Sequence, residues 1–138
     1  MINYVEKGFG LHAKIRASGH HLKKVDGRWK SSDDAAVQSI IDSYDPVLGA
    51  RKSAIKRIKI ESSNRISQIY SFIDPDSTQG FGLYRFAKDL WDGGDLPPRL
   101  LQLKLIYDAA KSAINDINLM TDWVSIESYD AITTPKWP

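Results

Sequence analysis

The feature that most constrains the fold of this chain is a regular apolar seam near its C-terminus. The seam repeats with 3-4-3-4-3 spacing and consists of Leu103, Ile106, Ala110, Ala113, Ile117 and Met120. This spacing is typical of a helix that packs lengthwise against another helix. Pro97-Pro98 stands just before it, where proline is accepted in a first helical turn. We therefore predict a helix over 97–120, and the two alanines favour close approach of a partner helix.

The predicted partner of this helix is the segment 47–73, which has a similar length and would fold back through the connector. One face of the segment is marked by Ile55, Ile58, Ile66, Ile69 and Ile73. Ser62, Ser63 and Asn64 are expected to interrupt that face. An unbroken helix of this length would extend roughly 40 Å. The seam covers only about two and a half heptads, so a supercoiled hairpin and a bundle are both allowed.

A capped helix is predicted between the N-terminal residues and this hairpin. Ser31 or Ser32 is expected to cap it, with Asp33 and Asp34 in its first turn. Its core stripe follows helical spacing and consists of Ala36, Val37, Ile40, Ile41 and Tyr44. Asp45-Pro46 disfavours helical geometry before the proline, so the helix should end or bend sharply there.

The first thirty residues predict a small mixed unit. Residues 2–7 are expected to form an edge strand, and residues 11–17 a short helix that ends near Gly19. Asp26-Gly27 is a preferred pair for a two-residue type I′ turn, and Trp29 lies on the arm that follows it. We therefore predict a β-hairpin after the short helix.

Two shorter helices are expected in the remaining C-terminal part. The first covers 82–92, and its predicted apolar side consists of Leu83, Phe86, Ala87, Leu90 and Trp91. The second covers 123–130, with Thr121-Asp122 as its cap. An extended tail should follow, in which Trp137 needs an apolar site.

These elements predict an α+β protein that is predominantly α-helical. We divide it into a small basic module over 1–46, with a short helix, a β-hairpin and a capped helix, and a helical hairpin or bundle over 47–138 with an extended C-terminal tail. A chain of 138 residues is compatible with one domain or one core with a docked extension.

The sequence contains no apolar run of about 18 residues, so no membrane span is predicted. The N-terminus lacks the pattern of a signal peptide, so cytoplasmic synthesis is expected.

The sequence contains no recognisable catalytic, cofactor or metal motif. It has no cysteine, which excludes disulfides and thiolate ligands. Adjacent His20 and His21 would point to opposite faces of a strand, and no HExxH occurs. Gly8-Phe9-Gly10 lacks the third glycine and the βαβ context of a phosphate-binding loop, and GxSxG and GK[ST] do not occur. We expect no enzymatic activity, no cofactor and no metal.

The net charge of +2 is distributed in bands of alternating sign. Residues 1–30 carry a net +5, 31–46 a net −4, 47–73 a net +5 and 74–138 a net −4. Such bands are compatible with docking inside the chain or between subunits, and with binding of a polyanion. The basic helix contributes Arg51, Lys52, Lys56, Arg57 and Lys59. Nucleic-acid binding therefore stays open as an alternative.

Protein–protein contacts are favoured by four tryptophans and six tyrosines, because aromatic residues are frequent interface anchors. The residues predicted to bind a partner are Phe81, Tyr84, Trp91 and Trp137. Three of them lie in the segment 74–98, which we expect to carry the specific function.

Three stretches resemble small tail-fibre-associated proteins of tailed bacteriophages. They are GRWKSSDDAAVQSIIDSYDPV, ARKSAIKRIKIESSNRI and MTDWVSIESYDAITTPKWP. In that family a hairpin with a tryptophan precedes a helix of this kind, a charged helical segment follows, and the chain ends in a WP-type tail. The resemblance covers the N-terminal third and the last twenty residues. The middle segment, FIDPDSTQGFGLYRFAKDLWDGGDLPP, departs from it.

The resemblance implies a non-enzymatic role as a structural component or assembly helper of the tail fibre or baseplate. It implies a tail-fibre or baseplate protein as partner, and a location in the host cytoplasm during assembly or in the virion tail. By analogy with fibres we expect a homo-oligomer, a trimer formed through the 97–120 seam. The alternative is a small phage-encoded inhibitor or regulator that binds a host protein or nucleic acid.

Overall fold

A computed structural model of the chain describes residues 1–91 and 93–138. In these residues the helices are α1 (Phe9–Ala17), α2 (Asp34–Ser43), α3 (Pro46–Ser67), α4 (Leu83–Leu90), α5 (Pro98–Leu119) and α6 (Trp123–Glu127). A 3-10 helix over Gln79–Gly82 precedes α4, and one antiparallel sheet pairs β1 (Lys23–Val25) with β2 (Arg28–Lys30). The predicted class, α+β and predominantly helical, is confirmed.

The packing of α3 along α5 forms the centre of the molecule. The buried residues at this contact are Ala50, Ala54 and Ile58 from α3, and Ala110, Ala113 and Ile117 from α5. The predicted helical pairing is therefore present inside one chain. The seam residues from Leu103 to Ile117 are buried within the chain itself. The homo-oligomer expected through this seam stays a prediction.

The predicted helix over 47–73 ends earlier, at Ser67, and its serines have a different role from the one expected. Ser62 and Ser63 are fully buried and do not interrupt the core face. The Ser62 hydroxyl donates to the Lys59 carbonyl at 2.7 Å, and the Ser63 hydroxyl accepts from the Gly80 amide at 2.9 Å. Both hydroxyls are satisfied. These small residues let the connector, which we define as residues 68–82 between α3 and α4, pack directly on α3.

A second cluster continues the core towards the connector and α4. Its buried residues are Ile66, Ile73, Tyr84, Leu100, Leu103 and Ile106. At the opposite end α6 packs on α3 through Ile126. The final helix is shorter than predicted because it ends at Glu127, although Asp122 caps it as expected and accepts from the Val124 amide at 3.3 Å.

A third cluster is built from residues 1–46 alone. Its buried residues are Ile2, Leu11, Ile15, Val37 and Ile41. The edge strand predicted over 2–7 is absent from the described residues, so that prediction was wrong. The reason is a tertiary contact: the Asn3 amide donates to the Gln38 side chain at 2.7 Å, and the Gln38 amide donates back to the Asn3 carbonyl at 3.1 Å. The helix α2 thereby satisfies the backbone that a neighbouring strand would have paired.

The predicted hairpin is confirmed in its register and its turn. Val25 is paired with Arg28, so Asp26-Gly27 forms a two-residue loop. Both loop residues have positive φ, 51° and 76°, as a type I′ turn requires. Tyr4 stacks on Trp29 with ring centroids 4.6 Å apart. Burial, followed by the hydrogen bond to Glu6, raises the pKa of Tyr4 to about 12.

The cap of α2 differs from the prediction, whereas its end does not. Asp33, and neither Ser31 nor Ser32, caps the helix and accepts from the Ala36 amide at 3.1 Å. Ser31 instead donates its amide to Asp34 at 2.9 Å. A carboxylate interacts more strongly than a hydroxyl with the positive end of a helix. As predicted, α2 ends before Asp45-Pro46, and this pair then begins α3.

The side chain of Tyr44 joins the N-terminal module to the helical hairpin. Its hydroxyl lies between Gly10 of α1 and Gly49 of α3, where a methyl group on either glycine would overlap it. Nearby, the Phe9 amide donates to the Glu127 carboxylate at 2.9 Å. Burial, with the charges of Glu127 and Asp45, raises the pKa of Tyr44. The packing of Tyr44 between α1 and α3 therefore requires glycine at both positions 10 and 49.

We predict that Gly10→Ala lowers the free energy of unfolding by about 1–3 kcal/mol, because the added methyl group overpacks the joint. The Tyr44→Phe background should relieve most of this cost. Without the hydroxyl, the nearest ring carbon, Cζ, lies 3.2 Å from the added methyl. Chemical denaturation of the four proteins in this double-mutant cycle measures the coupling. An equal cost in both backgrounds would contradict the steric account.

Candidate interaction surfaces

The helix α4 carries an exposed apolar ridge, which we define as Phe86, Leu90 and Trp91. Their exposed fractions are 64%, 71% and 43%. Phe86 and Leu90 are four residues apart on the helix and are therefore neighbours on its surface. The indole of Trp91 lies against Gly93, where an added Cβ would come within 2.7 Å of it. Three large apolar side chains thus face solvent from one short segment.

The apolar residues of this helix lie on two sides of it, so the prediction of a single apolar side was wrong. The buried side of α4 consists of Tyr84, with Leu83 and Ala87 packed beside it on the second cluster. Phe86 and Leu90 point away from this contact. The predicted end of the helix at Asp92 lies outside the described residues, and α4 ends at Leu90.

Two of the four predicted partner-binding residues are brought together around one tyrosine. The ring centroid of Tyr107 lies 5.3 Å from that of Phe81 and 5.5 Å from that of Tyr84. Tyr84 is only 6% exposed, and Phe81 is half-buried and packed against the first cluster. Phe81 holds the 3-10 helix on α5 and Tyr84 holds α4 on it, whereas Trp91 belongs to the exposed ridge.

The fourth predicted residue, Trp137, holds the C-terminal tail against α3. Its indole nitrogen donates to the Ala131 carbonyl at 3.0 Å, and its ring lies 4.9 Å from the Arg65 guanidinium. It packs against both the first and the second core cluster. Trp137 therefore has the apolar site that was predicted for it. It packs near α3 and does not belong to the ridge of α4.

A groove of 610 Å³ runs along the N-terminal half of α3, and we name it the α3 groove. It is lined by Leu48, Arg51, Lys52, Ile55, Lys56 and Lys59 from the helix, together with Thr78 and Asn118. Leu48 is 65% exposed. Aliphatic surface and positive charge thus occur in the same depression.

The arginines of α3 make contacts with the C-terminal part of the chain. Arg51 donates to the Met120 carbonyl at 2.7 Å, and Arg57 donates to three carbonyls in residues 126–129 at 3.2–3.4 Å. Arg65 pairs with Glu61 at 3.0 Å and contacts Trp137. The arginines therefore fasten the C-terminal residues to α3, as suits a side chain with several fixed donors.

Two of the three histidines, His12 and His20, take part in side-chain contacts. Tyr4 Oη lies 2.7 Å from His12 Nε2, and His20 Nδ1 lies 3.1 Å from the Ser32 hydroxyl. Within residues 1–91 and 93–138, no three side chains from His, Asp and Glu gather in the way that a metal ion requires. In the same part of the chain, no helix combines the length and apolar character needed to cross a membrane.

No protein-family model, curated protein sequence or solved structure matches this chain. The two surfaces are therefore interpreted from their own geometry. The basic residues of α3 were predicted from the sequence, whereas the position of Leu48 and Ile55 among them was not. The spacing of Leu48, Lys52, Ile55 and Lys59 on one helical face was the available signal. The ridge was not predicted, because the apolar periodicity of α4 does not indicate which of its apolar residues the rest of the chain buries.

We predict that Gly80→Ala loosens the connector from α3. The added Cβ would lie 2.8 Å from the Cα of Ser63, and backbone at this distance cannot move aside cheaply. We expect a loss of about 1–3 kcal/mol in the free energy of unfolding, measured by chemical denaturation. Gly82→Ala is the matched control, because nothing lies within 4 Å of its added Cβ. Equal stability of the two variants would contradict this packing.

Proposed function

We propose that this chain is a non-enzymatic, tail-associated protein of a tailed bacteriophage that acts through protein–protein contacts. It serves as a structural component or assembly helper of the tail fibre or baseplate, in the host cytoplasm during assembly or in the virion tail. The resemblance of three of its stretches to tail-fibre-associated proteins supports the class. The exposed ridge of α4 is the single observation that carries the mode of action.

The physical case for the ridge is the free energy that a partner gains by covering it. Fully burying a side chain such as Phe86 or Leu90 is worth about 1.5–3 kcal/mol relative to leaving it exposed. Residues of this size clustered on a surface are typical of interaction sites. The ridge also lies in the segment 74–98, which departs from the family resemblance. A part that differs from its family is a reasonable place for partner specificity.

The fold suits a ridge that works as an anchor. The other side of α4 is fixed to the second cluster through Tyr84, which is buried and stacked on Tyr107. A ridge held on a packed helix loses little conformational entropy on binding. Its aromatic and aliphatic side chains are thus presented in a prepared geometry.

We predict that Phe86→Ala with Leu90→Ala weakens binding to the tail-fibre or baseplate partner by about 10–100-fold, since two interface anchors of this size are lost. The partner is first identified by affinity capture of the tagged wild-type protein from phage-infected cells and mass spectrometry of the phage proteins recovered. Affinity is then measured by biolayer interferometry. The matched control is Phe9→Ala with Leu119→Ala, which removes the same two residue types from other exposed positions, 81% exposed in each case.

The result that contradicts the proposal is clear. Capture of no tail-fibre or baseplate protein, together with complete fibres on virions that lack this gene, would exclude the tail-associated role. Equal loss of affinity in the ridge and control variants would exclude the ridge as the binding site but would leave the tail-associated role standing. Mass spectrometry of purified virions separates the two forms of the role, because only a structural component stays in the particle.

A further inference from the structure

We infer that the α3 groove is a second binding site, which takes a short amphipathic α-helix with acidic residues from another protein. The site lies on α3 and does not include the ridge of α4. It therefore goes beyond the proposed tail role, and either can hold without the other.

The first argument concerns charge. Lys52 and Lys56 form no hydrogen bond or ion pair with any residue in the described part of the chain, and Lys59 contacts the ring of Phe81 at 5.2 Å. No acidic residue occurs on α3 before Glu61. Lys52 and Lys56 stand four residues apart on the helix, where like charges repel. Carboxylates of a partner would relieve this repulsion and supply the missing counter-charges.

The second argument concerns coverage of the helix. From Arg57 to Ser67 every residue of α3 is buried or half-buried, whereas Leu48, Lys52, Ser53 and Lys56 are exposed. Lys52, Lys56, Lys59 and Ser63 recur at helical spacing and share one face. The chain's own 3-10 segment docks on that face at Ser63, through the Gly80 amide. One to three turns N-terminal to Ser63, the same face of α3 forms the α3 groove, and no segment of the described residues docks there as the 3-10 segment docks on Ser63.

The third argument decides between an acidic polypeptide and a nucleic acid. The groove contains aliphatic residues, Leu48 and Ile55, among its cations, and these have no favourable contact with a phosphate backbone. An amphipathic helix matches both, because its apolar stripe can meet the leucine and isoleucine while its carboxylates meet the lysines. Two of the five basic residues expected to face a polyanion, Arg51 and Arg57, are instead bound to backbone carbonyls. The arrangement favours the polypeptide.

The test uses the full chain and a fluorescein-labelled synthetic peptide of about 12 residues, enough to run along the groove for about three turns. The peptide has leucine at helical spacing on one face and glutamate elsewhere. A second peptide replaces each glutamate with lysine, and a third scrambles the order. Fluorescence anisotropy should show binding of the first peptide alone, with an affinity that falls as salt rises from about 0.05 to about 0.3 M.

We predict that Lys52→Glu with Lys56→Glu weakens binding of the acidic peptide at least ~5-fold, since two ion pairs are replaced by two repulsions. Leu48→Asp should weaken it separately through the lost apolar contact. The matched control is Lys14→Glu with Lys111→Glu, which changes the net charge equally at two other exposed helical positions. Circular dichroism confirms folding of each variant, and these exposed positions are expected to tolerate the changes.

Several outcomes would overturn the inference. They are no binding of the acidic peptide, equal binding of the lysine or scrambled peptide, or an affinity that neither groove variant changes. Tighter binding of a DNA or RNA oligonucleotide that displaces the peptide would assign the groove to nucleic acid. Concentration-dependent dimers in analytical ultracentrifugation that Lys52→Glu with Lys56→Glu abolishes would assign it to a second copy of this chain. Neither result bears on capture of a tail protein through the ridge, so the two proposals fail separately.

Discussion

The close contact between α3 and α5 is the interaction on which the rest of this structure depends. Small residues, Ala50 and Ala54 on one helix and Ala110 and Ala113 on the other, let the two backbones approach along one buried cluster. Dispersion and burial across such a contact accumulate over many atoms. Once α3 is fixed in this way, its remaining faces become the scaffold for the other elements. The N-terminal module meets it at Gly49, the connector at Ser63 and the C-terminal residues at its arginines.

The arginines and lysines of α3 have different structural roles. Arg51, Arg57 and Arg65 reach the C-terminal residues and satisfy backbone carbonyls or cover an aromatic ring, so they contribute to folding. Lys52 and Lys56 make no such contact in the described residues and leave their charge at the surface. A single basic band in the sequence therefore has two physical roles. This difference is why the α3 groove is interpreted as a binding site and the rest of the band is not.

Two exposed surfaces result from elements that are each fixed on their other side. The buried Tyr84 holds α4 on the body and leaves Phe86 and Leu90 outward. The buried Ala50 and Ala54 likewise hold α3 on α5 and leave Leu48 and Lys52 outward. A surface on a fixed element keeps its geometry when free, which reduces the entropic cost of binding. The ridge is apolar and the groove is both apolar and cationic, so they suit partners of different chemistry.

The sequence by itself determined the local events and the helical pairing. Asp26-Gly27, Asp45-Pro46 and the seam from Leu103 to Ile117 each depend on neighbouring residues or a simple period, and these predictions were confirmed. Only the tertiary structure decided which face of each element is covered. Gln38 satisfies the backbone where a strand was expected, Ser63 is buried by the connector, and Phe86 is left exposed. Periodicity gives the faces of a helix, but the packing of distant segments decides which face meets solvent.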